Sequence, residues 1–244
     1  MRQQNVPLVL VSSKTLAELA HIQKELELKH PVVAENGAAT HTPAGYFPDN
    51  ASVVGATTER AALQAAYKQA KQAGAYDCEA FFELGVAGIV RETGLTREQA
   101  ALANERMGSE PILWRDSAEK EKQFQQDMAA LGLRCVRGGR FLHLMGAASK
   151  EQAVRRLLEA YAARNPDTEL VSVSLGDAPN DLGMLATTDI AVIIPGKHDH
   201  PMTVDAGNRV LRPESAGPAG WNEAMMVLLA EQEEGRLSAA SSRE

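Results

Sequence analysis

The 244-residue sequence predicts an α/β fold, with a doubly wound core and a second α/β domain inserted into it. Three observations predict this. Apolar runs of strand length alternate with segments of helical period at both ends of the chain. A long middle section mixes helices with short strands and breaks that rhythm. Finally, an acidic turn, Gly176-Asp177-Ala178-Pro179-Asn180-Asp181, directly follows the apolar run Leu170-Val171-Ser172-Val173-Ser174-Leu175. The carboxyl end of a strand is where open α/β sheets put their sites.

The elements follow in order. Pro7–Ser12 is an apolar run too short for a helix and predicts a buried parallel strand. Thr15-Leu16-Ala17-Glu18 fits a capping box, and Leu16, Leu19, Ile22 and Leu26 behind it keep the helical period. Pro31–Ala34 predicts a second strand and Asn36-Gly37 a turn. Residues 40–56 are loop-rich and mark a domain boundary. Beyond it the sequence predicts a helix over Glu59–Gln72 and a strand over Glu79–Glu83. A capped helix runs from Thr96 to about Arg106, a strand covers Pro111–Trp114, and a helix from Asp116 reaches Leu131. Phe141–Met145 predicts the last strand of this section. At Ser149 a third capping box restores the strand–helix rhythm, with Val154, Leu157, Leu158 and Tyr161 as the apolar face. A strand over 169–175, the acidic turn, a short helix over 180–186 and a strand over Ile190–Ile194 complete the core. The expected division is 1–48 with 147–230 as core, 49–146 as inserted cap, and 231–244 as a flexible tail.

A hydrophobic content of 44% supports a sizeable core, and a net charge of −7 argues against a general nucleic-acid or membrane-surface role. Cys78 and Cys135 are isolated, which predicts reduced thiols and a cytoplasmic chain. There is no apolar run of transmembrane length and no signal-peptide pattern at Met1–Pro7.

Chemistry-bearing residues recur at strand and helix ends. Asp177 and Asp181 with Asn180 offer the oxygen ligands that a hard cation such as Mg²⁺ takes; a Gly/Pro/Asn turn capping the next helix uses the same residues. Ser12 ends the first strand, where it serves either as a helix cap or as a phosphate donor. Lys150 stands in the first turn of a helix, as a solvated residue or as a partner for phosphoryl charge. Arg106, Arg115, Arg137 and Arg140 lie in the insertion, available either for a ligand carboxylate or for surface ion pairs. His143 lies in an apolar strand, more in keeping with core than with ligation. His198 and His200 have metal-like spacing without a third ligand nearby, which favours a loop. Trp114 and Trp221 fit core positions.

Taken in order, Ser12, Lys150 and Gly176–Asp181 resemble the second, third and fourth motifs of the haloacid dehalogenase superfamily, with its Rossmann-like core. The insertion between the second and third motifs resembles the cap of the sugar-phosphate phosphatase branch. Ser12-Ser13-Lys14-Thr15, Glu35-Asn36-Gly37-Ala38, Thr93-Gly94-Leu95, Arg106 with Ser109-Glu110-Pro111, Gly139–His143 and Gly217–Trp221 are similar to segments of the mannosyl-3-phosphoglycerate phosphatases. This resemblance implies Mg²⁺-dependent hydrolysis of a small sugar phosphate that also carries a carboxylate. It implies that Ser12 hydrogen-bonds the phosphoryl group and that Lys150 neutralises it. Asp177, with Asp181 and Asn180, would serve the metal, and Ser13, Lys14, Asn36, Arg106, Arg140 and His143 the substrate.

The family's first motif, Asp-x-Asp-Gly-Thr, supplies its nucleophile from a strand ahead of the Ser-Ser-Lys-Thr strand. No Asp-x-Asp occurs in this sequence, whose first acidic residue is Glu18. The resemblance therefore implies that the N-terminal central strand is missing, that the chain as given is inactive, and that the strands ending at Ser12 and Leu175 each lack a neighbour. Self-association through those strand edges is the expected consequence.

Overall fold

The computed structural model describes residues 1, 4–47, 58–196, 202–204 and 209–238. The chain divides into two compact units, Leu8–Ser149 and Met1–Pro7 with Lys150–Glu244.

The unit Leu8–Ser149 contains two sheets. The first has the order β1 (Leu10–Val11), β2 (Val32–Ala34), β3 (Ala39–His41), with β1 parallel and β3 antiparallel to β2. Helix α1 (Leu16–Glu25) packs on it through Leu19, against Val32, Ala34 and Ala39. The capping box at Thr15 forms as expected: the Thr15 hydroxyl accepts the Glu18 N–H, and Glu18 accepts the Thr15 N–H. A tight turn over Glu35–Gly37 joins β2 to β3. Its residues have φ of 50°, 56° and 99°, in the left-handed region.

The second sheet is antiparallel, with the order β4 (Cys78–Ala80), β5 (Ser109–Trp114), β7 (Leu142–Met145), β6 (Arg134–Arg137). Helices α2 (Arg60–Gly74) and α5 (Ala118–Ala130) bury Leu63, Tyr67, Phe124 and Met128 against Ile112, Leu142 and Leu144 of this sheet. Helices α3 (Phe81–Thr93) and α4 (Arg97–Asn104) share a smaller core of Phe81, Ile89, Ala100 and Ala103. The expected strand over Glu79–Glu83 is corrected here: the strand stops at Ala80 and Phe81 opens α3. Glu83 turns its carboxylate back to the Ala80 N–H and ends the extended segment. Strands β3 and β6 were not foreseen.

In the second unit a parallel sheet runs β10 (Arg209–Leu211), β9 (Ile190–Ile193), β8 (Val173–Gly176). Helix α6 (Lys150–Arg164) precedes β8, and α7 (Leu182–Leu185) follows it. Helix α8 (Gly217–Glu233) buries Ala224, Met225 and Leu228 against Ile190 and Val192.

The expected strands Pro7–Ser12 and 169–175 shorten to Leu10–Val11 and Val173–Gly176. Among the described residues β1 pairs only with β2, and β8 only with β9. A strand is registered by its partner, and each of these has a partner on one edge only. No helix of the described residues is long and apolar enough to cross a membrane. His198, His200 and most of the tail from Ala239 lie outside the described residues.

Candidate functional site

In the second unit the chemistry gathers at the carboxyl end of β8. Gly176 closes the strand, and a turn over Pro179–Asp181 leads into α7. A Cβ on residue 176 would stand 2.5 Å from the Asp181 Cβ, so only glycine lets the acidic turn fold back on the strand end. Asp181 is buried there. Its Oδ1 accepts from Lys150 Nζ at 2.7 Å, and its Oδ2 accepts the N–H groups of Asp177 and Ala178 at 3.3 Å each. Both side chains of the pair are 9% exposed. The ion pair pins the first residue of α6 to the end of β8, and burial strengthens that Coulomb attraction.

Asp177, by contrast, is exposed, and its carboxylate has no hydrogen-bond or ion-pair partner among the described residues. Asn180 beside it is half-buried. No group of three or more His, Cys, Asp or Glu that could hold a metal ion occurs among the described residues. Since both Asp181 oxygens are taken, Asp177 is the one open carboxylate of the turn. That donor set does not fit a protein cage; it fits an ion that keeps several waters and takes ligand phosphate oxygens as well.

In the unit Leu8–Ser149 the loop after β1 is held on several sides. The Ser12 N–H continues the ladder to the Val33 carbonyl at 2.9 Å, and the Ser12 Oγ accepts the Lys14 N–H at 3.2 Å. The helix cap is Thr15 rather than Ser12 or Ser13, and its hydroxyl donates to the Leu102 carbonyl at 2.8 Å. Lys14 is exposed and pairs with Glu18 at 3.2 Å. Asn36 is buried in the turn after β2.

Arg106 is engaged rather than open. Its Nε donates to the Ala103 carbonyl at 3.1 Å. Its Nη1 donates to the Ser13 carbonyl at 3.1 Å and to Ser109 Oγ at 3.0 Å. The guanidinium lies 5.6 Å from the Phe81 ring centroid. Burial pulls its pKa below the ordinary arginine value, opposed by the negative charges of Glu35, Glu18 and Glu110.

Glu35 was part of a recognised segment but not singled out as a site residue. It is fully buried and accepts the Met107 N–H at 2.8 Å, the Gly108 N–H at 3.2 Å and the Ser109 hydroxyl at 2.6 Å. The Asn36-Gly37 pair signals a turn, and Glu35 beside it holds a left-handed conformation in the structure, which a non-glycine residue keeps only when its surroundings impose it.

Arg140 is exposed and donates to the Glu92 carbonyl. Arg137 pairs with Glu121, and Arg115 with Glu79 and Glu92. His143 is buried on β7, with its Nε2 3.0 Å from where a Cβ on Gly138 would stand. Trp114 and Trp221 pack against the two main cores.

Comparison with known proteins gives three findings. Residues 1–199 match the family model of the haloacid dehalogenase-like hydrolases. A Methanococcoides burtonii protein, described as a glucosyl-3-phosphoglycerate/mannosyl-3-phosphoglycerate phosphatase, is 31% identical over 241 residues, spanning 94% of this chain and 87% of that one. Among solved structures, a Streptococcus mutans UA159 protein superposes with a TM-score of 0.65 at 16% identity, over 94% of this chain and 88% of that one. A Thermoplasma acidophilum protein does so with 0.63 at 15%, over 97% and 86%. These structural likenesses speak for the fold alone.

Proposed function

Because the chain belongs to the haloacid dehalogenase-like hydrolase family, we propose that its ligand is a phosphomonoester, specifically a glycosyl-3-phosphoglycerate such as mannosyl-3-phosphoglycerate. The reaction of this reading is hydrolysis to glycosylglycerate and phosphate. The observation that carries it is the buried Lys150–Asp181 pair at the end of β8, with the Asp177 carboxylate left open beside it. An ammonium fixed by a buried partner is a preorganised positive charge, suited to offset the negative charge of a phosphoryl group during transfer. The resemblance to the Methanococcoides protein along nearly the whole chain supports the choice of substrate.

In this reading Lys150 neutralises phosphoryl charge and Ser12 donates to a phosphoryl oxygen. Asp177 would hold Mg²⁺, with Asn180 and Asp181 supporting the turn that carries it. Bound there, the ion would supply positive charge to a phosphoryl oxygen. Ser13, Lys14, Asn36 and His143 belong to the ligand-binding surface, and the exposed Arg140 is the arginine assigned to the ligand carboxylate. The core comprises 1–48 with 147–230, and 49–146 is the cap.

The sequence holds no Asp-x-Asp, so this chain by itself binds without turnover at enzymatic rates. A variant with an Asp-x-Asp-Gly-Thr strand fused ahead of Met1 tests the reading. Phosphate release in Mg²⁺ is expected, faster with mannosyl-3-phosphoglycerate than with hexose phosphates that lack the carboxylate. A preference for the hexose phosphates would point to another sugar-phosphate phosphatase.

A further inference from the structure

We propose that Arg106 is a positioning residue, one that fixes the carbonyls of the Ser12–Lys14 loop so that the loop's donors face a phosphate-type oxyanion. The proposal rests on the reading of Ser12 as a phosphoryl donor. Three consecutive carbonyls of this loop each accept one hydrogen bond from the scaffold. The Ser12 carbonyl accepts the Asn36 N–H at 2.9 Å, and the Lys14 carbonyl accepts the Glu35 N–H at 2.8 Å. Between them the Ser13 carbonyl accepts Arg106 Nη1 at 3.1 Å. With its carbonyls tied, the loop cannot turn partial negative charge toward an anion. Its Ser13 N–H has no partner among the described residues and remains for a ligand.

The scaffold is itself braced. Two adjacent non-glycine residues, Glu35 and Asn36, sit at φ of 50° and 56°, and in that conformation their N–H groups reach the loop. The side chain of Glu35 then locks the Arg106 neighbourhood. It accepts from Met107 and Gly108 N–H and from Ser109 Oγ, and Ser109 Oγ in turn accepts from Arg106. Both Nη1 protons and the Nε proton of Arg106 are therefore committed to protein oxygens. Of the three ties on the loop, only the Arg106 one comes from a side chain, so substitution removes it without altering the main chain.

Direct recognition of a ligand carboxylate by Nη2 is the competing role, and two ligands separate the two. Calorimetric titrations would use inorganic phosphate and 3-phosphoglycerate with the wild-type chain, Arg106→Ala and Arg106→Lys, with a thermal melt of each. Positioning predicts that Arg106→Ala weakens both ligands by the same factor, about tenfold or more, and that Arg106→Lys restores part of the loss for both. A loss confined to 3-phosphoglycerate would overturn the proposal in favour of carboxylate recognition. Unchanged affinity for both would leave Arg106 as framework only. If the wild-type chain bound neither ligand, the phosphomonoester reading would fail while the loop claim stayed testable by amide hydrogen exchange. Arg106→Lys and Arg106→Ala should speed exchange at Lys14, Glu35 and Asn36 without a matching change elsewhere in β2 and α1, and unchanged exchange there refutes it.

Discussion

Breaking the Lys150–Asp181 pair from either side should destabilise the protein unequally. The two side chains are equally buried, so exposure does not decide the difference; the remaining partners do. Asp181→Ala leaves the Lys150 ammonium with no other acceptor among the described residues and strands the Asp177 and Ala178 amides as well. Removing one member of a buried pair costs about 3–5 kcal/mol, and this substitution should fall in that range. Lys150→Met leaves Asp181 with two amide donors, both at the long distance of 3.3 Å. Its cost should be smaller, about 2–3 kcal/mol. The double substitution Lys150→Met with Asp181→Asn removes both charges and keeps an acceptor for the amides, so it should lie within about 1 kcal/mol of wild type. Urea unfolding of wild type, Lys150→Met, Asp181→Asn and the double variant, read as a double-mutant cycle, gives the coupling directly. Additive single losses, with no coupling, would refute the claim that this pair holds α6 to the end of β8.

Other predictions follow from single contacts. Glu35→Ala leaves two buried donors and one part-buried donor without their acceptor and should cost about 3 kcal/mol in urea unfolding, against a negligible effect for Asp177→Asn at its exposed position. Glu83 is partly desolvated, which raises its pKa, but hydrogen bonds from Tyr67, Lys71 and the Ala80 N–H outweigh this and hold it below the usual 4.5. Because the folded value is depressed, its contribution is present above that pH and is lost as pH falls through the folded value. Glu83→Gln should therefore flatten the acid limb of the stability–pH curve, and an unchanged limb would count against the account. Burial raises the Cys135 thiol to about 12 and pushes Cys78 up as well, so both should react slowly with iodoacetamide at pH 8 in the native protein and rapidly in urea. Among the described residues β1 and β8 each have one edge without a ladder partner, and such edges should promote concentration-dependent association in light scattering; a strictly monomeric chain would show that those edges are covered.

Much of the local structure was legible where a side chain states its own role. Thr15 and Thr96 announce their helices because a hydroxyl followed three residues later by Glu or Gln can satisfy end groups in one conformation only. Helix α3 gave no such sign. It starts behind Ala80, which has no side-chain acceptor, and its first residues, Phe81 and Phe82, favour strands. Strands β3 and β6 were invisible because short antiparallel strands are defined by a partner distant in sequence. The acidic turn was legible as a cluster, but its division of labour was not. That Asp181 is spent on Lys150 while Asp177 stays open depends on the close approach at Gly176. Arg106 shows the same limit. Its type suggested a ligand carboxylate, and only the tertiary structure reveals Ser13, Ala103 and Ser109 as its partners.

The most direct measurement compares mannosyl-3-phosphoglycerate with mannosylglycerate, its dephosphorylated counterpart, in calorimetric titrations of this chain with Mg²⁺ present. The account predicts saturable binding of the phosphorylated compound alone, weakened about tenfold or more by Lys150→Ala. Equal binding of the two compounds, or binding indifferent to Lys150, would contradict it.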